Sequence, residues 1–115
     1  MKSIMVQIQP ENSPGIDVAR LIELFTALAG RAELVQHHAF DSGMDGAAYF
    51  NFTFGTQNAD ELWRAIIDLI YEAPEHKKHM ASASMAMCSG ESGWDTYMQL
   101  FHWDPSVPVV SAPDI

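Results

Sequence analysis

Apolar and polar side chains alternate in two stretches of the chain, and each stretch predicts a strand with one buried face. In residues 4–9 the aliphatic side chains occupy the even positions, and in residues 49–54 phenylalanine occupies every even position. Successive side chains of a strand point to opposite faces of a sheet. We therefore expect the three phenylalanines to pack beneath helices. The side chains expected on the other face are Tyr49, Asn51 and Thr53.

Two further stretches repeat their apolar side chains at the spacing of an amphipathic helix. The first is predicted to begin with Ser13 as its N-cap, because a proline follows at the first helical position. The second is predicted to begin near Asn58, where Glu61 completes a capping-box arrangement, and to end before Pro74. Its predicted buried stripe consists of Leu62, Ile66, Leu69, Ile70 and Ala73.

The remaining segments are assigned from their composition and turn signals. Residues 31–40 are predicted to form the second strand, and residues 41–46, rich in Asp, Ser and Gly, the turn that follows it. Residues 75–79 are charged and are predicted to form a surface turn. Residues 80–103 are predicted to form a hairpin around a turn at residues 89–93.

The order of these elements is strand, helix, strand, strand, helix, strand, followed by one more strand. It predicts an α+β fold, the split βαββαβ plait with an additional C-terminal hairpin strand. One sheet face of such a plait carries no helices, so we expect the function to depend on what covers that face. Residues 1–103 are expected to form this single domain, and residues 104–115, which contain three prolines, an extended tail.

Composition and charge exclude several classes of function. The 115 residues include 15 acids and 6 bases, for a net charge of −9, which would repel a nucleic-acid backbone. The apolar runs are shorter than the roughly 20 residues of a membrane helix, and no signal peptide is predicted. Cys88 is the only cysteine, so no intrachain disulfide is expected. These features favour a cytoplasmic protein with neither nucleic acid nor membrane as a partner.

The candidate binding residues lie on the predicted helix-free face. His37 and His38 are adjacent in a predicted strand, so they point to opposite faces, and the hairpin register decides which of them joins Tyr49. The predicted turn pairs His38 with Tyr49. His38, Tyr49, Asn51 and Gln7 are then candidate ligand-binding residues that could orient a polar ligand or move a proton. The alternative is a partly solvated polar face without a ligand.

No other group of residues in the sequence predicts a catalytic or metal site. His76 and His79 have the spacing of two helical metal ligands, but zinc needs three or four, so a solvated turn is predicted. Cys88 has no CxxC partner and is expected to be a small buried hydrophobe. Residues 89–93 resemble a phosphate-binding loop only in their glycines, because they lack its lysine. We predict no metal and no cofactor.

The last predicted strand, residues 94–103, is apolar on both faces, which is typical of a strand that is covered on both sides. The protein's own helices would cover one face. A second copy of the chain could cover the other, with Met5, Met85 and Met87 adding adaptable packing surface. The tail of the same chain is the alternative cover. We expect a homodimer.

The pattern resembles a known group of proteins in three features. These are the order of elements, the third strand Ala47–Phe54 leading into a helix at Asn58–Trp63, and the apolar last strand. They resemble the dimeric α/β-barrel group of ferredoxin-like proteins, which includes antibiotic-biosynthesis-monooxygenase-like proteins. The resemblance covers about residues 3–103 and is one of topology and pattern. It implies two sheets that face each other across a dimer and bind a small organic molecule, and no catalytic residue carries over.

The leading hypothesis is a cytoplasmic homodimer that holds a small apolar or aromatic ligand between facing sheets, either as a cofactor-free enzyme or as a binding protein. The rival hypothesis is an acidic protein-binding module, such as an inhibitor, antitoxin or immunity-like protein, for a basic partner. It predicts association that weakens steeply with salt. A plait whose only partner is its own second copy is a third hypothesis.

Overall fold

The computed structural model describes residues 1–90 and 92–113. Within these residues, five strands form one sheet: β1 (Lys2–Ile8), β2 (His37–Met44), β3 (Ala48–Thr56), β4 (Ser84–Gly90) and β5 (Gly93–Phe101). The strand order is β2-β3-β1-β4-β5, and every neighbouring pair is antiparallel. The structure therefore confirms a mixed α+β fold with a C-terminal hairpin.

Three α-helices of the described chain connect the strands: α1 (Val18–Ala29) follows β1, α2 (Ala59–Ile66) follows β3, and α3 (Lys77–Ala83) precedes β4. A π-helical turn, Ile67–Tyr71, continues α2, and a 3₁₀ turn, Pro10–Asn12, follows β1. One core cluster joins the even-numbered side chains of β1 to α1 and α2, so these helices lie on one face of the sheet. Its buried side chains include Ile4, Val6, Ile8, Leu21, Leu28, Leu62 and Ile66.

The phenylalanines of β3 point into this core, as the alternation predicts. Phe52 and Phe54 are buried, and the ring of Phe25 from α1 stacks on Phe52 with 4.3 Å between centroids. Phe50 is half-buried in the same row. Burial of a side chain of this size stabilises a fold by about 1.5–3 kcal/mol, so the row decides which face of β3 meets the helices.

The first helix begins later than predicted, and Ser13 is not its N-cap. The N-cap is Asp17, whose carboxylate accepts a hydrogen bond from the Arg20 amide at 3.0 Å. Gly15, with a φ of +90°, turns the backbone between these positions. The Ser13 hydroxyl instead bonds to Nδ1 of His79 at 2.7 Å, which ties the segment before α1 to α3.

The second helix begins after Asn58 as predicted, but the predicted capping box is absent. The Asn58 side chain makes no cap bond and reaches the Glu33 carbonyl at 3.5 Å. The π-helical turn then bonds i to i+5, one residue more than an α-helix, which rotates the side chains that follow. Leu69, predicted in the buried stripe, is 42% exposed for this reason, whereas Ile70 is fully buried.

The second strand lies later in the chain than residues 31–40. A tight turn comes first, in which the Arg31 carbonyl accepts bonds from the Leu34 and Val35 amides and both aliphatic side chains are buried. β2 then continues through residues whose composition predicts a turn. The observed hairpin turn contains Gly46, with a φ of +75°. The strand is longer than predicted because residues 41–44 pair with residues 48–51 at the start of β3.

The C-terminal hairpin is confirmed with a later start. Residues 80–83 belong to α3, and β4 begins at Ser84. Two register shifts interrupt the pairing of β4 with β5. Of the turn predicted at residues 89–93, residue 91 lies outside the described residues, and the strands reach to Gly90 and from Gly93.

The tail returns along the outer edge of the sheet on the helical side. The Val110 amide donates to the Gln99 carbonyl of β5 at 2.9 Å, and Lys2 Nζ donates to the Pro113 carbonyl at 3.1 Å. Ser111 lines a cavity beside α2. Val110 therefore lies beside the edge of β5, and Ser111 lies on the helical side of the sheet. Across the described residues, no helix has both the length and the apolar character needed to span a bilayer.

Candidate functional site

The sheet face opposite the helices carries the odd-numbered side chains of β1 and β3. Gln7 of β1 lies opposite Asn51 of β3, which in turn lies opposite Asp41 of β2, so one polar row crosses three strands. Tyr49 occupies the same face, two residues before Asn51. We call this side of the sheet the open face. Its central side chains are Met5, Gln7, Asp41, Tyr49, Asn51, Thr53, Met85 and Met87.

The polar row forms a continuous chain of hydrogen bonds. Asn51 Nδ2 donates to Asp41 Oδ1 at 3.1 Å, and Gln7 Nε2 donates to Asn51 Oδ1 at 2.9 Å. Gln9 Nε2 extends the chain to Gln7 Oε1 at 3.3 Å. An ionised carboxylate only accepts hydrogen bonds, so Asp41 fixes the orientation of each amide in turn. Each amide nitrogen keeps a second hydrogen for a ligand.

Two aromatic rings cover glycines on the open face. The Tyr49 ring occupies the space that a Cβ on Gly43 would take, and the His37 ring does the same above Gly55. Each glycine is the direct cross-strand partner of its ring. An aromatic side chain over a glycine stabilises an antiparallel pair, so Tyr49 is held against the sheet beside the polar row.

His38 lies on the helical side of the sheet, and its predicted place beside the other three candidates is wrong. It pairs with Phe54, whereas the predicted register pairs it with Tyr49. The cross-strand partner of His38 is thus five residues further along β3 than predicted. A register shift by an odd number of residues turns the side chains of a strand to the opposite face of the sheet. His38 is exposed, with its ring 5.1 Å from that of Phe40. His37 takes the position on the open face.

Sequence reasoning missed Asp41 and found His37 only as the alternative to His38. Asp41 stands in a segment whose Asp, Ser and Gly content predicts a turn. One signal identifies the true register, because it alone brings Gly43 opposite Tyr49 and His37 opposite Gly55. Two glycine–aromatic pairs in one hairpin favour that alignment over the predicted one.

Methionines border the polar row. Met5 lies opposite Met87 of β4, and Gln7 lies opposite Met85. All three methionines are half-buried in the single chain. An unbranched thioether side chain adapts its shape to different contacts. The open face thus combines oriented polar groups with an adjacent apolar area, as small-molecule contact surfaces do.

β5 contributes less to the open face than its sequence predicts, because register shifts interrupt its alternation. Leu100 and Phe101 are consecutive, yet both line the same cavity on the helical side. Gln99 lies opposite Met87. Tyr97 is 53% exposed on the strand that leads from the hairpin turn. The apolar part of the open face therefore depends mainly on the methionines.

The polar row can orient a ligand by hydrogen bonds, but it holds no acid–base pair. Asp41 accepts from the Asn51 amide, and in the described residues no histidine bonds to it. Three or more His, Cys, Asp or Glu side chains placed to hold a metal occur nowhere in the described ranges. The arrangement supports binding and not a specific reaction.

Two residues outside the open face differ in how well the sequence predicts them. His76 is 2% exposed, so the predicted solvated turn is wrong; neither ring nitrogen makes a hydrogen bond among the described residues, and Nε2 lies 3.9 Å from the Glu75 carboxylate. It stands just before α3, which packs against the π-helical turn. Cys88 is buried as predicted, and burial raises the pKa of its thiol despite the charge of Lys2. A thiol held neutral is a poor nucleophile.

Known proteins give no further guide to the site. No protein-family model, no curated protein and no solved structure matches this chain significantly.

Proposed function

We propose that the chain is a ferredoxin-like plait extended by β5, and that it forms a cytoplasmic homodimer through its open face with a small apolar or aromatic ligand held between the two sheets. The strand order β2-β3-β1-β4, with a helix after β1 and another after β3, supports the plait. β5 then adds one strand beside β4. The proposed activity is binding, and no reaction is assigned.

The uncovered methionine area beside the polar row is the observation that carries this proposal. Helices α1 and α2 lie on the other side of the sheet, and so does Ser111 of the tail. Met5, Met85 and Met87 remain half-buried in one chain, and neither α1 nor α2 covers them. Extended apolar patches on a folded protein mark contact sites. In a twofold dimer the same patch meets itself, which supports a second copy as the cover.

The ligand would lie across the polar row. The amide nitrogens of Gln7 and Asn51 would donate to a carbonyl or hydroxyl group, and the phenol of Tyr49 would add an aromatic contact. The free oxygen of Asp41 would accept from a ligand donor. The methionines would supply the adaptable apolar walls.

Native mass spectrometry of protein purified without harsh dialysis tests the ligand. We expect a dimer that carries a discrete additional mass. Tyr49→Ala should reduce the retained mass, because it removes an aromatic contact from the open face. His38→Ala is the matched control, since this exposed ring lies on the helical side. Equal retention in both variants would refute the placement of the ligand.

A charge in the methionine area tests the dimer. Met87→Lys should weaken self-association more than a hundredfold, because burying an unpaired charge costs about 3 kcal/mol or more. Leu69→Lys is the control, because Leu69 is an exposed apolar residue next to α2 on the helical side. Sedimentation velocity reports both. If the wild-type protein stays monomeric at all concentrations, the homodimer proposal is refuted and the acidic protein-binding module is favoured.

A further inference from the structure

We propose that each chain has a second small-molecule site, independent of the open face, in the cavity beneath the C-terminal tail, and that this site takes an uncharged aromatic molecule. The cavity has a volume of about 300 Å³ and lies on the helical side, between α2, the π-helical turn, α3 and β5. A dry apolar cavity of about 150 Å³ holds benzene. The space beneath the tail is therefore sufficient for a bicyclic ring.

Three aromatic rings form one continuous wall of this cavity. The centroids of Trp63 and Tyr71 are 5.5 Å apart with 61° between the planes, and those of Tyr71 and Phe101 are 4.9 Å apart with 50°. Neighbouring rings at these distances touch each other and leave no room between them for a guest. A guest therefore stacks on the outer side of the wall, against Ile67 and Leu100.

The arrangement of the rings argues against an ammonium guest. Aromatic cages for quaternary ammonium surround the cation with ring faces. Here Trp63 meets Tyr71 edge to face and Phe101 is tilted against Tyr71, so the three rings lie in a row on one side of the cavity and do not enclose it. A flat guest matches one surface better than a spherical cation does.

The charges at the rim favour a neutral guest. Glu72 and Lys77 both line the cavity, one of each sign, and in the described part of the chain they form no ion pair with each other. An ammonium group would meet Lys77, and a carboxylate would meet Glu72 together with a net chain charge of −9. A neutral hydroxyl or ring N–H could bond to either side chain without an opposed charge.

The backbone of the wall supports a binding role. Ile67 and Tyr71 begin and end the π-helical turn, an irregularity that occurs often at functional sites. The Ser84 hydroxyl donates to the Met80 carbonyl at 2.7 Å, so the Tyr71 hydroxyl must donate to Ser84 across 2.8 Å. This bond holds the Tyr71 ring in its place in the wall.

The test uses the full chain and three probes of one ring system: indole, indole-3-acetate and tryptamine, which are neutral, anionic and cationic. Titration calorimetry and amide NMR shifts should show saturable binding of one indole per chain. The two charged probes should bind at least tenfold more weakly. Absence of indole binding, or tighter binding of a charged probe, would overturn the proposal.

Rim variants locate the bound molecule without disturbing the core. Ala81 and Ser111 are exposed residues that line the cavity, so Ala81→Phe and Ser111→Phe should fill its mouth and weaken indole binding at least tenfold. Ser82→Phe is the matched control, because Ser82 is exposed on α3 next to the lining residue. Unchanged affinity in both rim variants would contradict the site.

The same titration on Met87→Lys distinguishes this cavity from a ligand site between the sheets of the dimer. Because the cavity is built from one chain, this variant should bind one indole per chain as the wild type does, whether or not it dimerises. Binding of one indole per two chains, lost in Met87→Lys, would place the molecule between the sheets and overturn the second site.

Discussion

At the scale of single residues, His76 is a polar side chain in an apolar place. It is 2% exposed, neither ring nitrogen makes a hydrogen bond among the described residues, and the nearest carboxylate oxygen, on Glu75, is 3.9 Å from Nε2. An unpaired buried polar group costs about 1–3 kcal/mol. We expect His76→Leu, a change of similar volume, to raise the free energy of unfolding by about 1 kcal/mol in chemical denaturation.

His79 provides the control for this prediction, because its ring is bonded to the Ser13 hydroxyl at 2.7 Å. His79→Leu should therefore lower the free energy of unfolding by about 1 kcal/mol. A loss of stability in His76→Leu as large as that in His79→Leu would mean that the buried imidazole is paired in solution, for instance by an internal water.

Tyr71 predicts how stability depends on alkaline pH. Burial raises its pKa well above the ordinary value of 10.0. The neutral phenol is therefore favoured in the fold, and the stability it contributes is complete below pH 10 and is lost as the pH rises above that value. Tyr71→Phe should cost about 0.5–1.5 kcal/mol at neutral pH. Its stability should fall less steeply above pH 10 in denaturant titrations, and an unchanged slope would contradict the assignment.

At the scale of elements, the C-terminal hairpin depends on one close backbone approach. A Cβ at Gly90 would meet the carbonyl of Thr96, a backbone atom that cannot swing away. At Gly43 a Cβ would meet the end of the Tyr49 side chain, which can move. Gly90→Ala should therefore lower the free energy of unfolding by about 1–3 kcal/mol, and Gly43→Ala by less than about 1 kcal/mol. Equal losses in denaturant unfolding would mean that the hairpin has another register.

The elements also show what local pattern can and cannot predict. The alternation in β1 and β3 correctly predicts their facing, because each strand pairs on both sides and buries most of one face. β2 is an edge strand with largely exposed side chains, so its facing has no strong hydrophobic signal. His38 is misplaced for that reason. The sequence thus correctly predicts that Gln7, Tyr49 and Asn51 share the open face. It does not predict which side chains of β2 join them.

In the helical segments, burial is predicted incorrectly for a different reason. The apolar spacing of α2 predicts Leu69 as buried because it assumes a uniform period of 3.6 residues. The π-helical turn changes that period, and no residue within the turn predicts it from the sequence. His76 has charged neighbours in the sequence, which predict exposure. It is buried because other elements of the fold pack around it.

At the scale of the whole molecule, the net charge of −9 separates the two hypotheses about partners. Two copies of an acidic chain repel each other, and salt screens this repulsion. We expect dimerisation to strengthen between about 50 mM and 500 mM NaCl, an increase that sedimentation equilibrium can measure. Binding of a basic protein would change in the opposite direction. A dimer that dissociates on adding salt would argue against contact through the methionine area.

The tail has a consequence for assembly. An outer strand offers free amide and carbonyl groups to which another chain can add, and so invites fibre growth. On β5 the Gln99 carbonyl is already taken by Val110, within a segment that contains Pro105 and Pro108. Proline has no amide hydrogen, so this segment cannot offer a complete ladder to a further strand. The tail therefore hinders strand addition at β5, so a chain that joined the sheet by backbone pairing would have to add at the β2 edge.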